Sequence, residues 1–478
     1  MTKTSLKIAA GVAALSMWAG APFAAHALAS WSPAVDVSTS GFLTSDPEIA
    51  IDADGVMTAI WSHVGVSTKT IQVSTSSDGQ DWTDPVDVSP PSHAAIDPHL
   101  VVDRYGRVTA IWTNSTGTDS IWTSQREWGE TTWSSPVQLS ETAEETAEAQ
   151  IVVDSIGNFT TIFNNRDAHK IQSRTSDDGV TWSSIVTLAQ EGDSQYLGLP
   201  QIAVDGSGRV TGVWRAYDSD NDGKMIVARS SVNPGVWSSA TTLFGGDAND
   251  PRIAATESGL TTVTAFSDFS EVEIQSRSSQ DGGAWTTAVG HGAGDGAMPN
   301  VSVVGPDRIV HTFVDDTVGG IWASSSEDGG QWTTRHLVDD GGDAPAGVSS
   351  NHVAKVIADS SGHLTAVWMR DYTGNPTNLP RATASTSADG ITWSEPVELA
   401  GTSSYSVNVV VNSDSRVTAL FELSDGTENT VQSRTIDNGG SESEELADTG
   451  ANDGVNAIAV LAVAGIVAAA AVRRRARF

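Results

Sequence analysis

Three arginines stand at similar places in the sequence, each just after an apolar run that predicts a β-strand. They are Arg166 in NNRDAH, Arg215 in VWRAYD and Arg370 in WMRDYT, and the last two lie near Tyr217 and Tyr372. A guanidinium group binds a carboxylate through two parallel hydrogen bonds, so these arginines are candidates for holding an acidic ligand. The alternative is that each forms an ion pair with an aspartate close to it in the chain.

An acidic turn follows the second of these arginines. The stretch DSDNDG places Asp218, Asp220 and Asp222 at alternate positions before Gly223. This is the spacing of calcium-binding loops, in which alternate carboxylates converge on one hard cation and glycine permits the turn. Arg229 occupies the position at which an EF-hand loop has glutamate. The sequence therefore predicts either a calcium site, which would be the only cofactor, or a solvated acidic turn.

These residues belong to a repeat that occurs eight times with a period near 50 residues. The first copies read PEIAIDADGVMTAIW, PHLVVDRYGRVTAIW and AQIVVDSIGNFTTIF, and each is followed by a further strand, a turn and a segment such as WTDPVDVS. Alternating β-branched residues with glycine-containing turns predict four short antiparallel strands in each repeat. A repeat of this length and strand content is typical of a propeller blade.

The two ends of the repeat region predict a closed ring. The segment WSPAVDVS, Trp31–Ser38, resembles the fourth strand of a repeat with nothing before it, and the last repeat stops after its third strand at TVQSRTIDNGG. If the first segment completes the last repeat, no sheet edge is left open. We therefore predict an all-β, eight-bladed β-propeller over residues 30–440.

The alignment of the eight repeats brings out a ring of polar residues. We expect one residue to open the inner strand of each blade and to face the mouth of the central channel. These residues are Glu48, His99, Gln150, Gln201, Arg252, Asn300, Lys355 and Asn408. Amides and charged groups suit sugar hydroxyls, so the ring is a candidate ligand site; the alternative is that strand ends are simply solvated.

Five repeats contain the pattern Ser-x-Asp-Gly-x-x-Trp, which resembles the Asp-box, or BNR repeat, of sialidases. One departure is that Asp and Gly are adjacent here, which makes the hairpin one residue shorter. The resemblance implies a structural turn between the third and fourth strands, with the Trp filling apolar space. The residues concerned are Asp78, Trp82, Asp178, Trp182, Asp281, Trp285, Asp328, Trp332, Asp389 and Trp393, with degenerate versions ending at Trp133 and Trp237.

The same resemblance implies that catalysis would be found on the face opposite these turns. A sialidase needs three arginines around the substrate carboxylate, a Tyr nucleophile paired with Glu, and an Asp acid/base. The Arg-Ile-Pro motif of the family is absent: Arg252 and Ile253 fall in the fifth repeat and lack the proline. The known enzymes also have six blades. Arg166, Arg215, Arg252 and Arg370, with Tyr217 and Tyr372, therefore make a weak catalytic set.

Both ends of the chain resemble processing signals. Residues 1–29 combine Lys3 and Lys7, an apolar run and the small-x-small sequence Ala27-Leu28-Ala29, which predicts a secretory signal peptide. After a short spacer, residues 441–445, the segment 446–478 contains LADTG, an apolar span at 455–472 and an arginine-rich tail. This order resembles a sortase sorting signal of the LPxTG type, in the version of high-GC Gram-positive bacteria. Its motif residues are Leu446, Ala447, Asp448, Thr449 and Gly450.

The net charge and the two end signals together limit the range of possible functions. The formal net charge is −33, so a nucleic-acid partner is excluded, because phosphate contacts need a basic face. The expected partners are sortase and peptidoglycan during anchoring, and a glycan or protein ligand afterwards, for a monomer on a Gram-positive cell wall. The first hypothesis is a binding protein without a convincing catalytic set. The alternatives are an exo-sialidase or related glycosidase, a structural wall protein, and a protein kept in the membrane by its C-terminal span.

Overall fold

The computed structural model describes residues 30–65, 68–190, 197–218, 223–267, 273–293, 299–315, 320–340, 354–370 and 380–437. The predicted signal peptide, spacer and sorting signal, including the apolar span 455–472, lie outside these residues. Within them every regular element is a β-strand. None of the described segments forms a helix that could cross a membrane.

The strands fall into eight four-stranded antiparallel sheets, which we number as blades 1 to 8. The N-terminal strand is β1, Val35–Asp36. Blades 1 to 4 contain β2 Leu43–Ile51, β3 Met57–Val64, β4 Lys69–Ser76, β5 Val86–Asp87; β6 Ala95–Val102, β7 Val108–Asn114, β8 Ser120–Arg126, β9 Val137–Gln138; β10 Thr146–Val153, β11 Phe159–Asn165, β12 Lys170–Ser176, β13 Val186–Gln190; and β14 Gly198–Val204, β15 Val210–Asp218, β16 Gly223–Ser231, β17 Thr241–Phe244.

The remaining blades have the same up-and-down order. Blades 5 to 8 contain β18 Ala248–Ala255, β19 Leu260–Ser267, β20 Glu273–Gln280, β21 Val289–Ala293; β22 Asn300–Val303, β23 Ile309–Val314, β24 Ile321–Ser326, β25 His336–Asp339; β26 Lys355–Ala358, β27 Leu364–Arg370, β28 Arg381–Ser387, β29 Val397–Glu398; and β30 Ser403–Val411, β31 Arg416–Ser424, β32 Asn429–Asp437, with β1 as the fourth strand.

The ring closes as the sequence predicts. β1 pairs antiparallel with β32, with Val35 opposite Ser433, and so completes blade 8. The inner strand β30 of blade 8 packs against β2 of blade 1, as each inner strand packs against the next around the ring. The eight-bladed propeller is thus confirmed, and residues 30–437 contain the whole ring.

Each blade presents two ends, which we call the loop face and the turn face. The loop face holds the start of the inner strand, the connection between the second and third strands, and the connection to the next blade. The turn face holds the hairpins between the first and second strands and between the third and fourth strands. In blade 2, for example, Val102 pairs with Val108 at the turn face, and Ala95 pairs with Asn114 at the loop face.

Burial explains why the second strands consist mainly of apolar residues and small polar ones such as threonine. β7 and β11 are buried along their entire length, because each lies between two strands of its own sheet and between two neighbouring blades. Strands buried on both faces read as continuous apolar runs. The fully buried Trp61, Trp112 and Trp214 lie on second strands, and each packs into the apolar cluster that joins its blade to the preceding one.

Eight tryptophans fill the spaces between neighbouring blades. Each stands four residues before the start of the fourth strand or its equivalent, and each packs into an apolar cluster that joins its blade to the preceding one. They are Trp82, Trp133, Trp182, Trp237, Trp285, Trp332, Trp393 and, for blade 8, Trp31. The N-terminal segment therefore supplies both the missing strand and the missing Trp of blade 8.

We predict that Trp31→Ala destabilises the propeller by about 3 kcal/mol, because it empties a buried site at the junction of blades 7 and 8. The measurement is denaturant unfolding of the propeller, residues 30–440, followed by circular dichroism. Trp128→Ala is the matched control, since Trp128 is 61% exposed. Equal stability of the two variants would contradict an integral role for the N-terminal segment.

Candidate functional site

The eight polar residues of the predicted ring lie near the loop-face end of the inner strands. They do not open those strands in six blades, where the strand begins three to five residues earlier and the ring residue lies at or just after an irregularity in the pairing. Only Asn300 and Lys355 are the first residues of their strands. The predicted strand starts are therefore wrong in these six blades. A β-bulge lies beside the ring residue, and the strand continues through it into residues that look like a loop in the sequence.

Hydrogen bonds link most of this ring from blade to blade. Gln150 contacts His99 across 3.4 Å, His99 contacts Glu48 across 2.8 Å, and the Asn408 side-chain amide donates to the carbonyl of Pro47 over 2.6 Å. Lys355 Nζ donates to Asn408 Oδ1, and Asn300 Nδ2 donates to Ala354 O over 3.1 Å. The ring therefore has a structural role, since it connects blades 3, 2, 1, 8, 7 and 6 in turn.

The bulges bring in a set of acidic residues that the sequence reasoning missed. Two positions before the ring residue, blades 1 to 5 each have a non-glycine residue in the left-handed region, with φ between 47° and 58°. Four of these five residues are acidic, and aspartate tolerates this conformation better than most residues. The five are Asp46, Asp97, Glu148, Leu199 and Asp250. The recurring Asp-Pro pair before the ring residue in blades 1, 2 and 5 is the signal that could have revealed them.

One half of the mouth, formed by blades 8, 1 and 2, is acidic. Burial opposes protonation of the His99 ring, but the charge and hydrogen bond of Glu48, with Asp97 and Asp46, outweigh it and raise the pKa of His99. Loss of hydration, together with the Asp46 carboxylate, raises the pKa of Asp97 above its ordinary value. This half of the mouth therefore favours protons, cations and hydrogen-bond donors.

A buried carboxyl group lies behind this acidic half. Glu422 on β31 is only 4% exposed, and its Oε1 accepts a hydrogen bond from Asn429 Nδ2. Burial, together with the nearby charge of Asp46, raises the pKa of Glu422 to about 8. A carboxyl group with such a pKa carries a proton at neutral pH and can act as a hydrogen-bond donor.

The other half of the mouth contains two buried cations. Arg252 and Lys355 are 8% and 7% exposed. Arg252 Nη1 donates to Pro251 O over 3.0 Å, and neither residue has an ion pair among the described residues. Burial lowers the pKa of Lys355 to about 8; Glu48 opposes this shift and Arg252 adds to it. The charge of Asp250 likewise acts on Arg252, so each cation lies within the electrostatic influence of an acidic group.

The three arginines after the second strands have separate sets of partners. Arg166 pairs with Glu145 and Glu148, with N–O distances of 3.4 and 3.6 Å. Arg215 Nη1 donates to Asn249 Oδ1 over 2.8 Å. These contacts hold blade 3 to the loop before it and blade 4 to blade 5.

Arg370 is also engaged in a contact between blades. Its guanidinium lies 3.1 Å from the buried carboxylate of Asp339 and 3.7 Å from that of Asp340, on the outer edge of blade 6. Asp339 also accepts a hydrogen bond from Trp368 Nε1. Tyr217 is partly buried on β15, opposite Lys224, and Tyr372 lies outside the described residues. Arg166 thus pairs with acidic residues of blade 3 and of the loop before it, whereas Arg215 and Arg370 contribute to two different blade junctions.

Only one of the three acidic residues of the candidate calcium loop is among the described residues. Asp220 and Asp222 lie outside the described residues, and for Asp218 only the backbone is described, at the end of β15. In the described part of the chain no group of three or more His, Asp or Glu side chains is arranged to hold a metal ion. The calcium site stays a prediction.

The Asp-Gly turns lie on the turn face, between the third and fourth strands. In the first of them, Asp78 accepts hydrogen bonds from the N–H groups of Gln80 and Asp81, both over 2.8 Å, and Ser76 Oγ accepts one from Gly79. Gly79 has φ +74°, and a Cβ there would lie 2.6 Å from Thr435, so glycine is required. The backbone hydrogen bonds hold the pKa of Asp78 below its ordinary value.

Three further turns repeat this geometry and one departs from it. Asp178, Asp328 and Asp389 accept the same pair of backbone hydrogen bonds. In the turn of blade 5, Asp281 is itself left-handed, with φ 52°, and its N–H donates to Gly259 O. The tryptophans that end these turns are the ones that pack between blades, so these turns stabilise the junctions.

The fold resembles several solved glycan-active propellers at low similarity. They include the leech intramolecular trans-sialidase (TM-score 0.38, 11% identity, covering 83% of this chain and 90% of that one), a Penicillium chrysogenum α-L-arabinanase (0.40, 13%, 62% and 98%) and an ulvan lyase (0.44, 10%, 75% and 94%). No protein-family model matches the chain. No curated protein matches it either. Similarity at this level carries no information on the activity of this chain.

We predict that Glu422→Gln stabilises the propeller at pH 7.5, on the order of 2 kcal/mol, and leaves its stability at pH 4.5 unchanged. The pKa of Glu422 in the folded protein lies above the ordinary value of 4.5, so Glu422 releases its proton on unfolding at neutral pH. The stability that protonated Glu422 contributes is therefore lost as the pH rises from 4.5 through about 8. Urea unfolding at the two pH values measures this. Glu395→Gln, at an exposed position, should change neither value; a Glu422→Gln variant less stable at pH 7.5 would show that the carboxylate is ionised and paired.

Proposed function

We propose that the protein binds an anionic glycan at the mouth of its loop face, as a propeller anchored to the wall of a Gram-positive cell. The supporting observation is the pair of buried cations, Arg252 and Lys355, which form no direct ion pair in the described residues, although the charges of Asp250 and Glu48 act on them. A buried charge without a counter-ion is costly, so a ligand carboxylate or sulfate would compensate both side chains at once. Charge-assisted hydrogen bonds from such cations are strong and directional.

The rest of the ring suits the neutral part of a sugar. Gln150 and Gln201 supply amide groups, and Glu48 with His99 supplies an ion pair that can exchange hydrogen bonds with hydroxyl groups. Polar groups placed around a concave, partly dry site are the usual means of orienting a small ligand. The mouth is thus cationic on one side and acidic on the other, which fits a sugar with an acid group at one end and hydroxyl groups at the other.

The acidity of the whole molecule limits how fast such a ligand arrives. A net charge of −33 repels anions over distances up to the Debye length, so association should be slow at low salt and faster at physiological salt. The two buried cations act at short range, where screening by solvent is weak. The mouth can therefore be specific for an acid group although the protein as a whole repels anions.

The second candidate function is glycoside hydrolysis. Asp97 and Glu422 have raised pKa values, and the charge of Asp46 contributes to both shifts. Neighbouring carboxyl groups whose pKa values are pushed apart are the arrangement of an acid/base pair. Against it, Arg166, Arg215 and Arg370 are engaged with different partners on different blades. A panel of fluorogenic glycosides separates the two functions, since only an enzyme releases the fluorophore; a structural wall protein would neither bind nor hydrolyse the panel.

We predict that Arg252→Gln and Lys355→Met each weaken binding of an acidic oligosaccharide at least tenfold, because each removes a charge-assisted hydrogen bond. The measurement is an array of sialylated, uronate-containing and uncharged glycans, followed by calorimetry on the best ligand, with and without calcium. Arg416→Gln is the matched control, since Arg416 pairs with Asp437 at the turn face. Unchanged affinity in both mouth variants, or a preference for uncharged glycans, would contradict the proposal.

Binding should also weaken as pH rises through 8. Lys355 has a pKa of about 8 in the folded protein, so it loses its charge in this range, whereas Arg252 keeps its own. Affinity should fall above pH 8 in the wild type and should fall less in the Lys355→Met variant, in which the remaining pH dependence reports the raised pKa values of His99 and Glu422. The folded pKa lies below the ordinary 10.5, so protonated Lys355 reduces stability at neutral pH, and Lys355→Met should raise the melting temperature at pH 7.

A further inference from the structure

The turn face of blades 2 and 3 carries an exposed apolar patch, which we call the blade-2 patch. It consists of Tyr105, Trp128 and Ile156, which are 52%, 61% and 64% exposed. Tyr105 and Ile156 come from the hairpins between the first and second strands of blades 2 and 3, and Trp128 comes from the hairpin between β8 and β9. Large exposed apolar groups that are contiguous mark binding sites more often than isolated ones do.

The three hairpins that carry these side chains contact one another at two glycines. A Cβ added to Gly106, next to Tyr105, would lie 2.3 Å from Cδ1 of Trp128, so the indole lies directly on that backbone. A Cβ added to Gly157, next to Ile156, would lie 3.3 Å from Cε2 of Tyr105. The patch is therefore one surface that runs from blade 2 onto blade 3.

Polar contacts fix the two rings although they are exposed. Trp128 Nε1 donates a hydrogen bond to Asp54 Oδ2 of blade 1 over 3.1 Å. The guanidinium carbon of Arg104 lies 4.6 Å from the centre of the Tyr105 ring, and Arg104 Nη1 donates to Ser155 O over 3.2 Å. Side chains held in one orientation before binding lose little entropy when a ligand arrives. The patch is thus pre-organised, with an apolar surface and a polar rim.

Comparison among the repeats shows that the patch is a departure of blade 2 from the rest. Tyr105 is the only aromatic residue in the eight Asp-x-x-Gly-type hairpins, which elsewhere read ADG, SIG, GSG, ESG, GPD, SSG and SDS. Blade 2 also replaces the Ser-x-Asp-Gly-x-x-Trp turn by the longer REWGETTW, which introduces Trp128 in addition to Trp133. Both hairpins of one blade have thus gained an exposed aromatic residue that the fold itself does not need.

The position of the chain end indicates what covers this patch. β32 ends at Asp437, which pairs with Arg416 at the turn face, and residues 438–478 continue from there. The link from Asp437 to the predicted cleavage point after Thr449 spans at most about 40 Å when fully extended. A protein anchored through this link would hold its turn face close to the wall, where tethering raises the local concentration of wall polysaccharide and a weak site is sufficient.

We propose that the blade-2 patch binds a glycan chain of the cell wall, with the rings of Trp128 and Tyr105 against the apolar faces of successive sugars. Asp54 and Arg104 at the rim would take the hydroxyl groups. The choice of occupant rests on the anchoring proposed above, but the patch itself does not. The site is distinct from the channel mouth, since the two lie on opposite faces.

The test is co-sedimentation of the propeller, residues 30–440, with protein-free cell-wall sacculi from a high-GC Gram-positive bacterium. This part contains the closed ring with all eight blade junctions. We expect Trp128→Ala and Tyr105→Ala each to weaken binding at least tenfold without a change in melting temperature. Asp54→Asn should weaken it less, because it only releases the indole. Ile391→Ala, at an exposed turn-face position of blade 7, should bind like the wild type.

Each alternative outcome is distinct. Binding that is lost in Lys355→Met but kept in Trp128→Ala would overturn the patch and would support the mouth as the glycan site. Sacculi that bind the wild type and both aromatic variants equally, or not at all, would overturn it as well. A concentration-dependent dimer in sedimentation velocity that Trp128→Ala abolishes would show that a second copy of the chain is the occupant, and would likewise overturn the proposal.

Discussion

The pairing of β1 with β32 is the interaction on which the rest of the structure depends. A ring of sheets is stable only if its last blade is complete, because an open strand edge leaves unpaired backbone groups and an open blade junction exposes its apolar surface. Here the N-terminal segment supplies the fourth strand of blade 8 together with Trp31, which takes the place that seven other tryptophans fill elsewhere. Closure therefore combines a backbone contact with a core contact in one short segment.

The turns and loops on the two faces of the closed ring are also under different structural constraints. The turn face holds the hairpins that position the junction tryptophans, so the Asp-Gly turns are constrained in length and geometry, as the hydrogen bonds of Asp78 illustrate. The loop face does not position these tryptophans, although its polar ring and two of its arginines also connect blades. Six of its inner strands contain an irregularity in the pairing. Blades 2 and 4 lack the Asp-Gly turn, and of these two blade 2 adds exposed aromatic rings. Its two altered hairpins keep Trp133 in the junction while adding exposed rings.

Much of the fold could be predicted from the sequence, whereas the site could be predicted only in part. The number of repeats and the number of strands in each follow from the regular spacing of glycines and tryptophans, and the closure follows from the two incomplete ends. All of these features can be read directly from the sequence. The bulge before Glu48 is not, because Asp46 and Pro47 look like an ordinary loop in sequence and only pairing shows that the strand continues past them. Likewise, the partners of Arg370 lie some 30 residues away on another blade, and no local pattern links them.

The polarity of the mouth follows from the order of residues around a ring of fixed size. Neighbouring polar side chains neutralise one another wherever one can donate and the next can accept, as from Gln150 to Glu48 and from Lys355 to Asn408. Arg252 stands in blade 5, opposite Glu48 in blade 1, and ring geometry keeps their side chains on opposite walls of the channel. In a smaller ring such groups could pair directly. Eight blades hold Arg252 and Glu48 apart, and the proposed site for an anionic ligand rests on this separation.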